Sequence, residues 1–527
     1  MKKLIRTISA VIAACASAAA LAACQGAESN SGGTNNKPSN DTKTLNIKIY
    51  KSGYGDAFVS NWIYEFENIY KDEGYKINIV DSTEYLQGSM VTNEMILGKK
   101  NTTDLYITGN VSPNALKNAS DSEEMDMIAA KLNDVYDSTP IKADGTEETV
   151  KIKDKLMPGF DKYYKLGDDY YTFAFRSSPV GLVVNPDVFP AGKEYPRTSD
   201  ELLALCDEIR DIDGLYPFAY GGQNAHAYLY GMEDVWVAQY SGIGYYQDFC
   251  AMNYEVPAEA YELYKNEGWI KSLDVIKKIQ SGATGEKYNF ANAVGAKANQ
   301  AQHNLLTGKA VFMCVGQHLQ NEMYTNYAEA TKKMIMLKAP VLSAIKDKCE
   351  SIGTDAELSA LVKAVDEGRT ELSGDGCEVT ESDYTTVKTA RNIVYDWGAP
   401  HSIVVNAYSE KLDIAKLFLR YIASDDAART AYLASTSVSC YSVGSSVDYS
   451  AMHTDSEFLK TAAKVSEAAS VIYRMPLGNR TKYSMDIFNV HLGLENKFYS
   501  NDSLTAEKVM EDEYKRAKEL WEQRYKG

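Results

Sequence analysis

The groups that could carry chemistry in this sequence are numerous but scattered. Its six histidines, His226, His303, His318, His401, His453 and His491, stand apart, whereas an imidazole metal site needs several brought to one ion. Paired carboxylates could run glycoside hydrolysis, and Asp168-Asp169 is such a pair. Among 72 acidic residues some pair always arises, and no surrounding motif singles this one out. Adjacent phenols could hold ferric ion, and Tyr163-Tyr164 and Tyr245-Tyr246 are the pairs to consider, although 38 tyrosines produce neighbours by chance. There is no G-x-S-x-G nucleophile elbow, no H-E-x-x-H and no P-loop. Gly242-Ile243-Gly244 lacks the later glycine of a nucleotide-binding turn. Cys206, Cys250, Cys314, Cys349, Cys377 and Cys440 form no C-x-x-C or other metal-like spacing. Cys349 and Cys377 flank a polar segment and could be bridged outside the cell, but their connectivity is not readable; the other four suit small core positions. The composition therefore offers hydrogen-bonding and aromatic groups for holding a ligand, and no motif for covalent catalysis.

One cysteine stands in a different context. A short basic patch, Lys2, Lys3 and Arg6, precedes an apolar, alanine-rich run from Ile8 to Ala20. That run has the organisation of an export signal and falls short of the roughly 20 residues a membrane span needs. It ends in Leu21-Ala22-Ala23-Cys24, which resembles the bacterial lipobox. The resemblance implies a diacylglyceryl-modified Cys24 at the start of the mature chain, with residues 1–23 removed. A rival box at Ile12-Ala13-Ala14-Cys15 would leave too short an apolar core. Residues 24–44 are polar and Gly/Ser/Asn-rich, the composition of a flexible tether. Losing three basic and no acidic residues with the signal takes the formal charge from −17 to −20. Such a surface repels nucleic acid and anionic lipid, and argues against a polyanionic ligand unless a local basic pocket exists. No second apolar stretch approaches 18 residues.

About 480 residues follow the tether, too many for one core, so two lobes are expected. Leu45–Tyr50 alternates with period two, as a strand. Asp56 is placed to cap a helix carrying Phe58, Trp62, Ile63 and Phe66. Strands at 76–80 and 104–108, with a helix between them, complete a β-α-β-α-β run and a parallel sheet. Further strands are expected at 170–175, 181–185, 310–315, 334–337 and 402–406. Pro196-Arg197-Thr198-Ser199 opens a helix with Leu202, Leu203, Leu205 and Ile209 on one face, and Ile414, Leu417, Phe418 and Tyr421 line another. The chain closes on an amphipathic helix from about Thr505.

Five stretches in order carry a family resemblance: Thr103-Asp104-Leu105-Tyr106; Gly181 to Phe189; Pro196 to Leu202; Gly308-Lys309-Ala310-Val311-Phe312-Met313 with Gly316; and Ile403-Val404-Val405 with Ala415 to Leu419. With these the chain resembles the bacterial extracellular solute-binding proteins of ABC importers, of the carbohydrate-binding type. Three positions depart from the family pattern: Pro186 for a usual Lys, Ser199 for a Trp, and Gln317-His318 where a stacking Trp is common. The resemblance implies an α/β, two-lobed periplasmic-binding-protein-like fold with a hinge and an interlobe cleft. Lobe one would be 45–174 plus 398–440, and lobe two 178–395 plus 445–527. It implies a monomer that captures a solute, a sugar or oligosaccharide, closes about its hinge and docks on permease subunits, with no cofactor, no metal and no catalytic residue.

A sugar needs polar partners at its edge and an aromatic platform beneath. The expected ligand-binding positions are the loops after strands and at crossovers: Tyr54, Asp56, Glu84, Asn110, Arg176, Gln223, Trp236, Gln317, His318, Trp397 and Arg480, with Ser177, Asn224 and Asn479 beside them. Asp56 serves equally as a helix cap, Trp236 as core and Arg176 as an ion-pair partner. The polar segment 341–395 reads as an insertion that could lengthen one cleft wall. Two alternative functions stand beside this one: an exported glycan-active enzyme, which would need two positioned carboxylates, and the ligand-binding subunit of a sensor or adhesin on the same scaffold.

Overall fold

The alternation at Leu45–Tyr50 becomes strand β1 (Thr44–Tyr50), with Leu45, Ile47 and Ile49 pointing into the core. Helix α1 (Ala57–Ile69) lays Phe58, Val59, Trp62 and Phe66 on it. β2 (Lys76–Thr83), α2 (Ser89–Met95), β3 (Leu105–Gly109) and α3 (Pro113–Ser122) follow. β1 pairs in parallel with β2 and with β3, as the β-α-β-α-β run requires. The computed structural model describes residues 36–223, 229–280, 288–290, 292–369, 379–445, 447–467, 469–474, 494–499 and 501–525. Cys24, Asn224, Cys377, Asn479 and Arg480 lie outside them.

The expected strand at 170–175 is two short pieces, of which β4 (Phe173–Ala174) joins the first sheet. The chain then crosses to a second sheet through β5 (Pro179–Val184), whose residues are all buried. Helix α4 (Ser199–Arg210) opens on a capping box, Thr198 accepting from the Glu201 amide while Glu201 reaches back to the Thr198 amide. Its Leu202, Leu203, Leu205 and Ile209 are buried, as their spacing demands. β6 (Tyr216–Phe218), α5 (Leu229–Ser241), α6 (Glu267–Gln280), β7 (Ala310–Gly316), α7 (Leu319–Lys333) and β8 (Ile335–Leu337) build out this second unit. It continues through α8 (Asp355–Asp366), α9 (Glu381–Arg391) and β9 (Ile393–Asp396). The chain returns to the first sheet as β10 (His401–Val405), followed by α10 (Leu412–Ile422) and α11 (Asp425–Ser435). It ends back on the second unit with α12 (Glu457–Ser466), β11 (Ser470–Ile472) and α13 (Ala506–Tyr525).

Two sheets result. The first has the order β2-β1-β3-β10-β4; the second has the order β11-β9-β5-β7-β6, with β8 on the far end of β5. Neither is purely parallel. β10 runs antiparallel to both β3 and β4 because the chain leaves the first sheet at β4 and re-enters beside it, from the same end. The segment 341–395 is no bare arm. Val341, Ile345, Ile352, Leu358, Leu361, Val362, Val387 and Ala390 make a small core of their own. It sits against α5, where Leu342 N–H donates to Gln239 Oε1 at 2.8 Å. Cys349 there is a free thiol, its pKa pushed up to about 11 by burial and the neighbouring Asp383.

The passages between sheets run side by side. Phe175–Ser178 leads out and Trp397–Pro400 leads back, with Trp397 N–H donating to Ser178 O at 2.9 Å. One buried carboxylate joins them: Asp396 accepts from the Ser178 amide at 2.8 Å, from the Ser177 hydroxyl and from the Gly398 amide. A Cβ at Gly398 would lie 2.7 Å from Asp396 Oδ1 and from Ser177 Cα, so only glycine lets the two passages approach this closely. A third passage crosses them near Val438, whose carbonyl takes the Ser177 amide at 2.8 Å.

The placement of Trp236 corrects an expectation. It is fully buried on α5 with its indole N–H donating to Pro340 O at 2.8 Å, so it is core and not a ligand platform. Trp236→Phe should lower unfolding free energy in urea by about 1–3 kcal/mol, through the lost hydrogen bond and a small void. Affinity for any ligand that stabilises the wild type should stay unchanged, and a weakened affinity would restore Trp236 to the binding surface.

Asp396 yields a pH signature. Burial raises its pKa to about 6 against the hydrogen bonds it accepts, while an exposed Asp titrates near 3.8. From about pH 4 to 6 the folded protein therefore holds a proton that the unfolded chain has released, so stability falls as pH rises through that window. The full effect is about 3 kcal/mol. Asp396→Asn removes the titration, and the stability of the wild type relative to the variant should decline from pH 4 to 7. Parallel pH profiles for the two proteins would show that Asp396 ionises as it does in water.

Candidate ligand-binding cleft

The C-terminal ends of β1, β2 and β3 converge where the crossovers leave the first sheet. Tyr50 ends β1, and its ring meets His401 edge-on at a centroid distance of 5.9 Å. The turn Ser52–Tyr54 follows, with Ser52 at φ 47°. Tyr54 is buried, its ring 4.3 Å from the Arg176 guanidinium and its hydroxyl bonded to Ser178. Loss of solvent pushes the Tyr54 phenol up to about 12, so it is protonated and able to donate at neutral pH.

The turn touches the second unit directly. A Cβ on Gly53 would lie 3.2 Å from Glu322 Oε1 and 3.6 Å from His318 Cβ, both on the first turns of α7. His318 Nε2 stands 3.9 Å from Glu322 Oε2, and Gln302 Nε2 donates to the same carboxylate at 2.8 Å. His401 is held well below the usual imidazole range, first by burial and then by the positive charge of Arg176 and by His318. Its ring is therefore neutral at neutral pH, with Nδ1 3.4 Å from Arg176 Nη1. Phenols, imidazoles, a carboxylate and a guanidinium thus meet across the junction of the two units, an assembly able to hydrogen-bond a polar ligand.

The expected positions divide around this junction. Tyr54 and Arg176 stand at its centre, and His318 faces them from α7. Asp56 and Glu84 lie on the same rim. Asp56 takes the position before α1, yet its side chain caps nothing; it accepts from Ser82 Oγ at 2.6 Å and lies 3.8 Å from Lys51 Nζ. The capping role expected for it is replaced by this tie between β1 and β2. Glu84 is exposed on the rim, its pKa raised by partial loss of hydration, with Lys51 opposing. Asn110 is exposed at φ 55°, its amide N–H donating to Pro400 O and its side chain to Gln87 Oε1, each near 2.9 Å. Ser177 spends its hydroxyl on Asp396.

Others sit elsewhere. Gln317 is fully buried, its side-chain amide donating to Thr436 O on the third passage, so it ties β7 to a crossover. Trp397 is half-buried on the far side of the crossovers, in a ring cluster with Tyr395 and Tyr473 at 6.3 and 5.9 Å. Gln223 is exposed at the edge of the described chain, its amide bonded to Ala296 O. The tyrosine pairs are structural. Tyr245 and Tyr246 donate apart, to Leu263 O and Asp234, and Tyr163 donates to Tyr473 O. Sequence reasoning missed Tyr50, Ser52, His401 and Glu322. Tyr50 could have been found as the end of an alternating strand, and Glu322 as one helical turn beyond His318. His401 reaches the junction only because β10 returns beside β3, which no local pattern announces.

No protein-family model matches the sequence, and no curated protein sequence is similar to it. Solved structures are similar in fold. The bacterial solute receptor AcbH, described with an exclusive preference for β-D-galactopyranose, superposes with a TM-score of 0.58 at 14% identity, over 92% of this chain and 100% of its own. The solute-binding protein RafE in complex with raffinose gives 0.55 at 14% identity, over 91% and 99%. A probable secreted solute-binding lipoprotein from Streptomyces coelicolor gives 0.57 at 10% identity, over 93% and 100%. The described residues include no helix long and apolar enough to cross a membrane. With two α/β sheets joined by adjacent crossovers over their full length, the chain has the two-lobed fold of the bacterial carbohydrate solute-binding proteins.

Proposed function

We propose that this protein is an extracellular substrate-binding lipoprotein that captures a sugar or oligosaccharide and delivers it to the permease of an ABC transporter by hinge closure. The observation that carries the reading is the junction itself. The polar ends of β1, β2 and β3 face α7 of the second unit across three closely packed crossovers, so one ligand can touch both units. A ligand that contacts both lobes favours the closed form by its differential affinity for it. The proposed lobes are 45–174 plus 398–440 and 178–395 plus 445–527, a division supported by the strands each sheet recruits. Tyr54, Asp56, Glu84, Asn110, Arg176 and His318 are the proposed contacts, joined by Tyr50, His401 and Glu322. Gln223 and Arg480 remain proposed from their loop positions, and Trp397 from its place at the return crossover. The site needs no cofactor and no catalytic group, and the relatives in fold are binding proteins.

A thermal-shift screen of the mature chain over sugars, oligosaccharides, peptides and polyamines tests the ligand class. A cognate saccharide at 100 times its Kd should add about 2.7 kcal/mol of stability, and be recovered unchanged by chromatography. A shift by peptides alone, or turnover of the saccharide, would overturn the reading.

Cys24 is the proposed point of attachment to the cell membrane, by two acyl chains, the number that stable anchoring takes. Cys24→Ser should leave the precursor without acyl chains and abolish its recovery as a processed, detergent-phase protein. Unchanged detergent partitioning of that variant would place the anchor elsewhere.

A further inference from the structure

Four cations are buried among the described residues: Lys155, Arg176, Arg391 and Arg474. Three have acidic partners. Lys155 is held by Glu148 and by Asp425, the latter at 2.9 Å. Arg391 grips Asp366 in a fork, Nε to Oδ1 and Nη2 to Oδ2, both at 2.8 Å. Arg474 presents the same Nε and Nη2 edge to Asp234, with Glu233 at 3.6 Å. Arg176 differs. It is 1% exposed, yet its polar contacts are Ser52 Oγ at 3.2 Å and His401 Nδ1 at 3.4 Å, and its Nε has no hydrogen-bond partner. The rest of its surroundings are the rings of Tyr54, Phe58 and Phe175, at 4.3, 5.0 and 4.7 Å. Burial lowers its pKa to about 10, with only the phenols of Tyr54 and Tyr50 acting against it and no carboxylate near enough to contribute.

A buried charge without a counter-charge is costly, and this chain, with 72 acidic residues against 55 basic, had ample means of supplying one. Two other arginines of the same protein show what the unpartnered edge accepts: a planar carboxylate taken in a fork. The position is also the right one. Arg176 lies where the first crossover leaves β4, beneath the Ser52–Tyr54 turn whose Gly53 rests against α7 of the second unit.

We propose that Arg176 is the receptor for an oxyanion carried by the ligand, and that the captured saccharide is therefore an acidic one, its carboxylate gripped on the Nε edge with Ser52 and His401 beside it. The proposal rests on the saccharide-binding reading above and narrows it. A chain near −20 after signal removal repels long polyanions, so the fit is to a short saccharide with few charges. An inorganic oxyanion has the same chemistry, and the test separates the two.

The mature chain is titrated calorimetrically with a pool of short uronic-acid-containing oligosaccharides, with the same pool after carboxyl reduction, and with sodium sulfate. The acidic pool should bind at least tenfold more tightly than the reduced pool. Arg176→Met, which keeps an apolar stem between the rings, should erase that preference without lowering the melting temperature of the free protein. Equal binding of the two pools, or a preference that survives in Arg176→Met, overturns the role of Arg176 while leaving saccharide capture intact. Sulfate binding more tightly than either pool overturns the acidic saccharide in favour of a free anion. Binding of neither pool and no sulfate overturns the saccharide reading itself. The comparison of pools on the wild type decides the matter even if the variant fails to fold.

Discussion

The carboxylate of Asp396 holds together two of the three passages that run between the sheets. It sits at the end of β9, buried, and takes hydrogen bonds from Ser177, Ser178 and Gly398, which belong to opposite directions of travel between the sheets. A buried carboxylate is tolerated only when its lone pairs are so occupied. The bare backbone of Gly398 removes the side chain that would otherwise hold the passages apart. The loops at the ends of β1, β2 and β3 can move as one body, because Asp56–Ser82 and Asn110–Gln87 tie them to each other.

Tyrosine abundance takes on a different meaning in the folded chain. The phenols could have formed an aromatic surface for polar ligands, but many are interior fasteners. Tyr441 donates to Ala174 O at 2.9 Å, Tyr163 to Tyr473 O at 3.0 Å, and Tyr136 stacks on Tyr170 at 3.7 Å. Each links segments far apart in sequence. A phenol suits that work because its ring fills core volume while its hydroxyl satisfies a buried carbonyl. Tyr50 and Tyr54 are the ones set at the junction.

Local patterns were legible and long-range returns were not. The alternation of Leu45–Tyr50, the spacing of Leu202, Leu203, Leu205 and Ile209, and the Thr198 box each encode their element within a few residues. Asp56 was legible in position but not in role, since the choice between its own helix and Ser82 is made by the neighbouring strand. Trp236 reads the same as platform or core until Pro340 is placed against it. Arg176 was identifiable as a charged residue at a crossover. Its lack of an acidic partner is a fact about which groups surround it in space, and no spacing rule reaches that. The arrangement of the first sheet was hidden for the same reason, its fourth strand being supplied from the far end of the chain.

That fourth strand governs the order in which the molecule can be made. β10 lies between β3 and β4, and its pairing sets Val405 opposite Leu105 and Ser402 opposite Ala174. During synthesis the slot between β3 and β4 therefore stays unfilled until the 226 residues between β4 and β10 (175–400) have been added. Contacts of such sequence separation form slowly. The same interleaving makes the unit impossible to excise as a contiguous fragment, so the two lobes are inherited and lost together.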